Sequence, residues 1–362
     1  MAERVAVIGG EGNMGRLTTT LFQHIGHETV VSDVANPNTL TPIEAIRSSR
    51  IVFFSVLPIA EIPKILAAAA DIITPDHIIL DNASSKTPLI QTLNNLANKG
   101  LSVCSTHPLC KHDQPLHGQK VLLMDVGPRP EQARHLAERL YTQAGMVVVE
   151  MPFEAHDHSM LIVQGLPHLL WRAVGEVYAK RGIDPEALQQ IGTANFRLFD
   201  LAMWRTLIQM PEISSEIIRN FLDQEEGNQL VTDLQEAVTS IIASDDRTQL
   251  SESLRQDADQ LDQNGIRTRM NEISTTVLEG LANLDVESLM VISPVDKAGV
   301  LEKMAGAFAK AGISLTEIRS HVSDGTVKFR IGIDEKTSNP TTLKRAITLL
   351  IRRGFAVIEL PK

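Results

Sequence analysis

Cysteine is nearly missing from this chain: Cys104 and Cys110 are the only two in 362 residues. Two thiols are too few for a disulfide framework, and the compartment expected for such a sequence is the cytoplasm. No apolar run approaches the roughly 20 residues that a membrane-spanning helix needs. The N-terminus opens directly into a strand with no basic and apolar leader, so no targeting segment is expected. Positive charge is in the minority: 34 Lys and Arg against 44 Asp and Glu leave −10. Such a balance offers no field for nucleic acid or an anionic membrane, although a local basic pocket can still hold a small anion. What remains is a globular composition, 43% hydrophobic and 22% charged, in a chain long enough for two or three cores.

The most informative segment present is Val5-Ala-Val-Ile-Gly-Gly-Glu-Gly-Asn-Met-Gly15, an apolar strand, a glycine turn and a helix start in direct succession. It reads as a dinucleotide clamp. Gly10 is expected to turn the strand, Gly12 to clear space for a pyrophosphate, and Gly15 to let the new helix pack closely. Phosphates then sit on free amides of the Gly12-Asn13-Met14-Gly15 turn, at the positive end of the helix dipole. Leu17, Leu21 and Phe22 continue as a helix face. The second strand ends in Asp33, about 20 residues beyond the turn, where a carboxylate accepts a ribose 2′-hydroxyl and repels a 2′-phosphate. NAD is therefore expected over NADP.

Residues 1–150 alternate apolar strands with amphipathic helices. The candidate strands are Val5–Ile8, Thr29–Ser32, Ile51–Ser55, Ile78–Leu80, Val103–Ser105, Val121–Met124 and Met146–Val149. This rhythm predicts an α/β domain, a Rossmann-like doubly wound and mostly parallel sheet. Ligands in such sheets bind beyond the carboxyl ends of the strands. That rule singles out Ser55-Val-Leu57-Pro58 for the cofactor, and Asp81-Asn-Ala-Ser-Ser-Lys86 and Thr106-His-Pro108 for chemistry. Residues 151–283 read as an all-α middle domain whose apolar surface suits a homodimer interface. Residues 284–362 run βαββαβ, with a turn at Asp324-Gly325, and suit a small ferredoxin-like sandwich.

His107 is the preferred general base, because it follows a strand end and Pro108 restricts its backbone. Ser84 stands at the neighbouring strand end, to orient the imidazole or, with Ser85, to cap the next helix. In the helical part, Arg197 and Arg205 lie on an apolar stretch, roughly 80° apart around a helix. They line one pocket, divide between substrate and protein, or pair with acidic residues of other helices; the residues alone leave these readings open. His156 and His158 lack the i, i+4 spacing of helical zinc ligands, so no metal is expected.

Taken together these residues resemble the prephenate dehydrogenases of tyrosine biosynthesis, with a C-terminal ACT-type domain. The marks are the opening glycine loop, Asp81-Asn-Ala-Ser-Ser-Lys86, His107-Pro-Leu109, Glu154-Ala-His-Asp-His158 with Leu166-Pro-His168, and Trp204-Arg-Thr206. The resemblance implies NAD-dependent oxidative decarboxylation of prephenate to 4-hydroxyphenylpyruvate, or of its aminated relative arogenate. It implies that His107 contacts the substrate hydroxyl, Ser84 orients it, and Arg205 binds a substrate carboxylate, with Arg197, Lys86 and His168 completing the pocket. No chorismate mutase segment is expected, since the dinucleotide motif begins at residue 5. Similar proteins follow the His-Pro pair with a hydrophobic residue and then Phe-Gly, where this chain has Leu109-Cys-Lys-His112. Cys110 and Lys111 thus change the loop's shape and charge. The ACT likeness rests on Ser293-Pro-Val-Asp-Lys-Ala-Gly-Val-Leu301 and Ala311-Gly-Ile-Ser-Leu315. It implies an amino-acid effector, tyrosine being the end product, held near Asp296, Gly299, Val300, Leu301 and Ser314.

Overall fold

The computed structural model describes residues 3–262, 266–282, 288–323, 326–334 and 336–359. The expected turn at Asp324-Gly325 and the boundary at residue 284 lie outside them. The chain falls into two compact units. One comprises the residues up to Gly175 with Thr206–Ser240, the other Glu176–Arg205 with the residues from Ile241 onward.

The first unit is built on a seven-stranded sheet of β1 (Arg4–Ile8), β2 (Glu28–Ser32), β3 (Ile51–Phe54), β4 (Ile78–Asp81), β5 (Ser102–Pro108), β6 (Lys120–Val126) and β7 (Val147–Glu150). Their order is β2-β1-β3-β4-β5-β6-β7, so the winding reverses beside β1, where sheets of this kind open a ligand crevice. All neighbours are parallel except β5 and β6. Alternate side chains divide between two cores. Ala6, Ile8, Val52, Phe54, Ile79 and Val103 face one layer of helices, and Val5, Val7, Ile51, Phe53, Ile78 and Leu80 face the other. These short continuous apolar runs are what a strand buried on both faces requires.

β5 reaches further than the apolar pattern indicates. Its parallel pairing with β4 stops at Ser105 opposite Asp81, but antiparallel pairing with β6 carries it on to Pro108 opposite Val121. His107 therefore lies in the strand, opposite Leu122, and not in the loop beyond it. The extension depends on β6, so residues near His107 give little local sign of it.

After β7 a 3-10 turn, Phe153–Ala155, leads into a helical run: His156–Met160, a π-helical stretch Leu161–Gly165, and Leu166–Arg181. Pro167 sits at the start of the last piece and has no N–H to give, and the wider π turn lies just before it. Helices Pro211–Leu222 and Glu225–Ala243 follow Ala194–Leu207. Gly165 and Gly227 both allow Phe221 to approach; a Cβ at Gly227 would lie 1.9 Å from the Phe221 carbonyl oxygen.

The second unit ends in a four-stranded antiparallel sheet of β8 (Ser288–Ser293), β9 (Leu315–Ser323), β10 (Thr326–Ile333) and β11 (Ala356–Glu359), ordered β11-β8-β10-β9. Helices Val300–Ala311 and Pro340–Arg352 complete the βαββαβ order expected of a ferredoxin-like sandwich. Val291, Met304, Phe308, Phe329, Ile331 and Leu350 are its core. Of the expected effector residues, Gly299 has φ +85° and open space where a Cβ would stand. Asp296, Leu301 and Ser314 are exposed. Val300 is 6% exposed and packs into the core, which removes its side chain from the set able to touch a ligand.

Candidate active site

The glycine loop leaves β1 at the crevice. Gly9, not Gly10, makes the left-handed turn: its φ is +81°, and a Cβ there would lie 2.2 Å from the Ser55 carbonyl oxygen. Gly10 serves packing instead, since its Cβ would come within 2.6 Å of a Val31 methyl on β2. Gly15 behaves as expected, for a Cβ would meet the Gly9 carbonyl oxygen at 2.0 Å. At Gly12 the nearest atom is 3.4 Å away, so the space over the loop is open. Gly12 also caps the helix Asn13–His24 without any side-chain bond, which leaves first-turn amides for an anion. Asp33 accepts the Glu11 and Ala35 amides, one on each carboxylate oxygen at 2.9 Å, and keeps lone pairs for a hydroxyl. Ser55 accepts from Asn82 Nδ2 at 3.2 Å, while Leu57 is largely exposed beside Pro58. An open cradle, free helix-end amides and a fixed carboxylate together fit a dinucleotide.

At the end of β5 stands the second group. His107 Nδ1 is 2.9 Å from His156 Nε2, and His156 Nδ1 is 2.6 Å from Asp157 Oδ1. The carboxylate requires a proton on His156 Nδ1, so His156 Nε2 accepts the Nδ1–H of His107. This assignment follows from the network and leaves His107 Nε2 with its lone pair. Burial, then the neighbouring His156 and the charge of Lys86, hold His107 well below the usual histidine range. Burial also lowers His156, against the raising effect of its bond to Asp157. Burial alone pushes the Asp157 carboxyl up, but hydrogen bonds from His156, Thr87 and the Lys86 and Thr87 amides outweigh it and hold it well below the carboxylate range. The chain thus presents a neutral imidazole backed by an ionised carboxylate.

Three expectations change here. Ser84 makes no side-chain hydrogen bond among the described residues; the contact that orients His107 comes from His156. Ser84 lines a small open pocket with Ser85, Asp157, Gln164, Asn220 and Gln224. Neither serine caps the following helix, Ile90–Asn98, whose N-cap is Leu89; Ser85 donates to Asp157 Oδ2 at 3.0 Å instead. Lys86, expected in the substrate pocket, is wholly buried. Its Nζ donates to Asp81 Oδ1 at 2.8 Å, the Ala83 carbonyl at 2.7 Å and the Thr106 carbonyl at 2.9 Å. Three donors with three acceptors leave nothing for a ligand.

His156 and Asp157 were not assigned roles from sequence. A His-Asp pair ahead of an apolar run was the available signal, but its partner lies 49 residues earlier. His168 stands in the same unit, at the start of Leu166–Arg181. Arg197 and Arg205 belong to the other unit, both on helix Ala194–Leu207; Arg197 Nη2 donates to the Gln189 carbonyl at 3.3 Å and Arg205 is exposed. No helix among the described residues is long and apolar enough to cross a membrane.

The sequence model described as "Prephenate dehydrogenase, nucleotide-binding domain" matches residues 19–150, and "Prephenate dehydrogenase, dimerization domain" matches 152–256. The probable arogenate/prephenate dehydrogenase of Methanocaldococcus jannaschii is 21% identical over 228 residues, 59% of this chain. The chain spans about half the length of that curated relative, 51%. Among solved structures, prephenate dehydrogenase from Aquifex aeolicus, in complex with hydroxyphenyl propionate and NAD+, shares 18% identity. The match covers 77% of this chain and 98% of that one, with a TM-score of 0.52. Synechocystis arogenate dehydrogenase shares 19% over 72% and 99% of the two chains, also at 0.52. At these identities the structural likeness is one of fold. The glycine loop lies just ahead of the first match and the His107–His156–Asp157 chain within the two, which together make this protein a member of the prephenate dehydrogenase family.

Proposed function

We propose that this chain is an NAD-dependent dehydrogenase that oxidatively decarboxylates prephenate to 4-hydroxyphenylpyruvate. The observation that carries the reading is the neutral His107, aligned by His156 and Asp157 on the fifth strand of the mostly parallel sheet whose first strand leads into the glycine loop. NAD, when bound, would supply the hydride acceptor; Gly12, Asn13, Met14 and Gly15 would hold its phosphates on a loop that Gly10 packs against β2, Asp33 would hold its ribose, and Ser55, Leu57 and Pro58 would flank it. His107 Nε2 takes the ring-hydroxyl proton as hydride leaves the same carbon, and general-base help of this kind is worth about 10²–10⁴-fold. The ring carboxylate departs as CO2 and the ring becomes aromatic. Arg205 is the proposed ligand of a substrate carboxylate, with Arg197 in support on the same helix, and His168 is a further proposed substrate contact.

Incubating the protein with prephenate or arogenate, each with NAD or NADP, and following reduced cofactor by absorbance tests this reading. Prephenate with NAD is expected to be the preferred pair; no turnover of either compound refutes it. Arogenate is the second reading, favoured by the likeness to an arogenate dehydrogenase. His107→Asn is expected to lower kcat, and Arg205→Ala to raise KM; equal effects contradict the roles.

The proposal keeps three functional parts: 1–150 for NAD, 151–283 for substrate and dimerisation, and 284–362 for regulation. Ile241, Ile242, Leu254, Leu261, Met270 and Ile273 are large apolar side chains left exposed in the single chain, which supports a homodimer. Sedimentation at micromolar concentration giving the monomer mass excludes it. Tyrosine is the proposed effector, near Gly299, and equal tyrosine sensitivity in Gly299→Leu refutes that location. The cytoplasm is the proposed compartment, in keeping with two free cysteines.

A further inference from the structure

His168 and Arg172 stand one turn apart on helix Leu166–Arg181. Each carries a buried nitrogen with no hydrogen-bond partner among the described residues: Nδ1 of His168 and Nη2 of Arg172. Burial first, then the charges of Arg172 and Lys111, hold the His168 imidazole below the usual histidine range, and no carboxylate contributes. Lys111 belongs to the loop just beyond β5, four residues after His107. A guanidinium and an ammonium thus both act on a neutral imidazole, the ammonium from the loop that follows the strand of the proposed base. A buried guanidinium nitrogen left without an acceptor is costly. A bound carboxylate would supply that acceptor.

We propose that Arg172, supported by the charge of Lys111, is a specificity-determining residue that receives the side-chain carboxylate of an α-keto acid and disfavours the corresponding amino acid. The inference rests on the prephenate or arogenate reading above. Prephenate carries two carboxylates. The ring carboxylate leaves as CO2, and a firm ion pair with it stabilises the ground state more than the transition state. The side-chain carboxylate is unchanged through the reaction, so two cations can hold it without that penalty. Arogenate has the same side-chain carboxylate with an ammonium on the adjacent carbon. Near Arg172 and Lys111 that ammonium would be repelled, whereas a ketone would not. Neutral His168 adds no third charge and keeps a ring nitrogen for the ketone or carboxylate.

The test is kcat/KM for prephenate and for arogenate, with NAD, in the wild type, Arg172→Gln, Arg172→Lys and Lys111→Gly. The wild type is expected to prefer prephenate. Arg172→Gln should reduce that preference about tenfold or more, mainly through KM for prephenate, as the loss of a charge-assisted hydrogen bond implies. Arg172→Lys should fall between the two, and Lys111→Gly should give a smaller loss in the same direction. An active Arg172→Gln with an unchanged substrate ratio overturns the inference and leaves the family reading standing, as does a wild type that prefers arogenate. A wild type that turns over neither compound ends both. If Arg172→Gln does not fold, Lys111→Gly decides: a reduced preference supports the inference and an unchanged one overturns it.

Discussion

Lys86 Nζ lies 2.8 Å from Asp81 Oδ1, and neither side chain reaches solvent. Asp81 also accepts from Ser105 Oγ at 2.6 Å, and Lys86 holds the Thr106 carbonyl. The pair ties the end of β4 to the strand that carries His107. Its chemistry is that of a buried ion pair, in which removing one partner strands the other charge.

Lys86→Met is therefore expected to destabilise the first unit by about 3–5 kcal/mol. Chemical denaturation with a two-state fit measures it. A variant of unchanged stability whose only defect is a raised substrate KM would return Lys86 to the binding pocket.

Asp157→Asn removes the charge and one of the two acceptor oxygens that together hold the His156 proton and Thr87, and so loosens control of the His107 tautomer. We expect kcat to fall by about 10²-fold or more, within the range of general-base help, with a smaller change in KM for NAD. Steady-state kinetics in each substrate separates the two. Thr87 and the Lys86 amide donate to the other carboxylate oxygen, Oδ2, and an amide has one oxygen for both sides, so a lower Tm accompanies the kinetic loss.

His107 and His156 both have depressed protonation in the fold. The base is then neutral at pH values where free histidine is charged, and the acid limb of kcat/KM should fall below about 6.5. Stability follows the same sign. The unfolded chain binds more protons below the unfolded pKa, so stability is complete above pH 6.5 and declines as pH falls toward the lowered folded values. Each histidine contributes up to about 1.4 kcal/mol per pH unit. Denaturation between pH 7.5 and 5 checks this, and replacing His107 with Asn should flatten the slope.

Gly12→Ala and Gly15→Ala separate space for a ligand from space for the fold. Gly12 has φ −66° and ψ 162°, which alanine adopts freely, and its Cβ meets nothing nearer than 3.4 Å. The variant should keep its Tm while KM for NAD rises about tenfold or more, as a methyl in a tight pocket commands. Gly15→Ala drives a Cβ into the Gly9 carbonyl and should lower both Tm and NAD binding. Equal Tm losses in the two variants would mean that Gly12 serves packing alone.

Local pattern alone carried the strands and helices. Runs such as Ile51–Phe54 announce their burial through their own residues, and the four strands of the C-terminal sheet were legible for the same reason. The glycine loop and Asp33 were legible because turn, crevice and carboxylate lie within one short βαβ unit. Other features depended on residues brought together from far apart. β6 extends β5 past His107, Ser55 and Val31 decide which loop glycine turns and which one packs, and Asp81 with Thr106 claims the ammonium of Lys86. His156 reaches His107 across 49 residues. Periodicity and turn chemistry are properties of neighbours along the chain, so the sequence by itself determined the elements and the nucleotide clamp. Which polar group meets which, and so which imidazole stays neutral, depends on burial and hydrogen bonding between distant segments, and only the tertiary structure decided it.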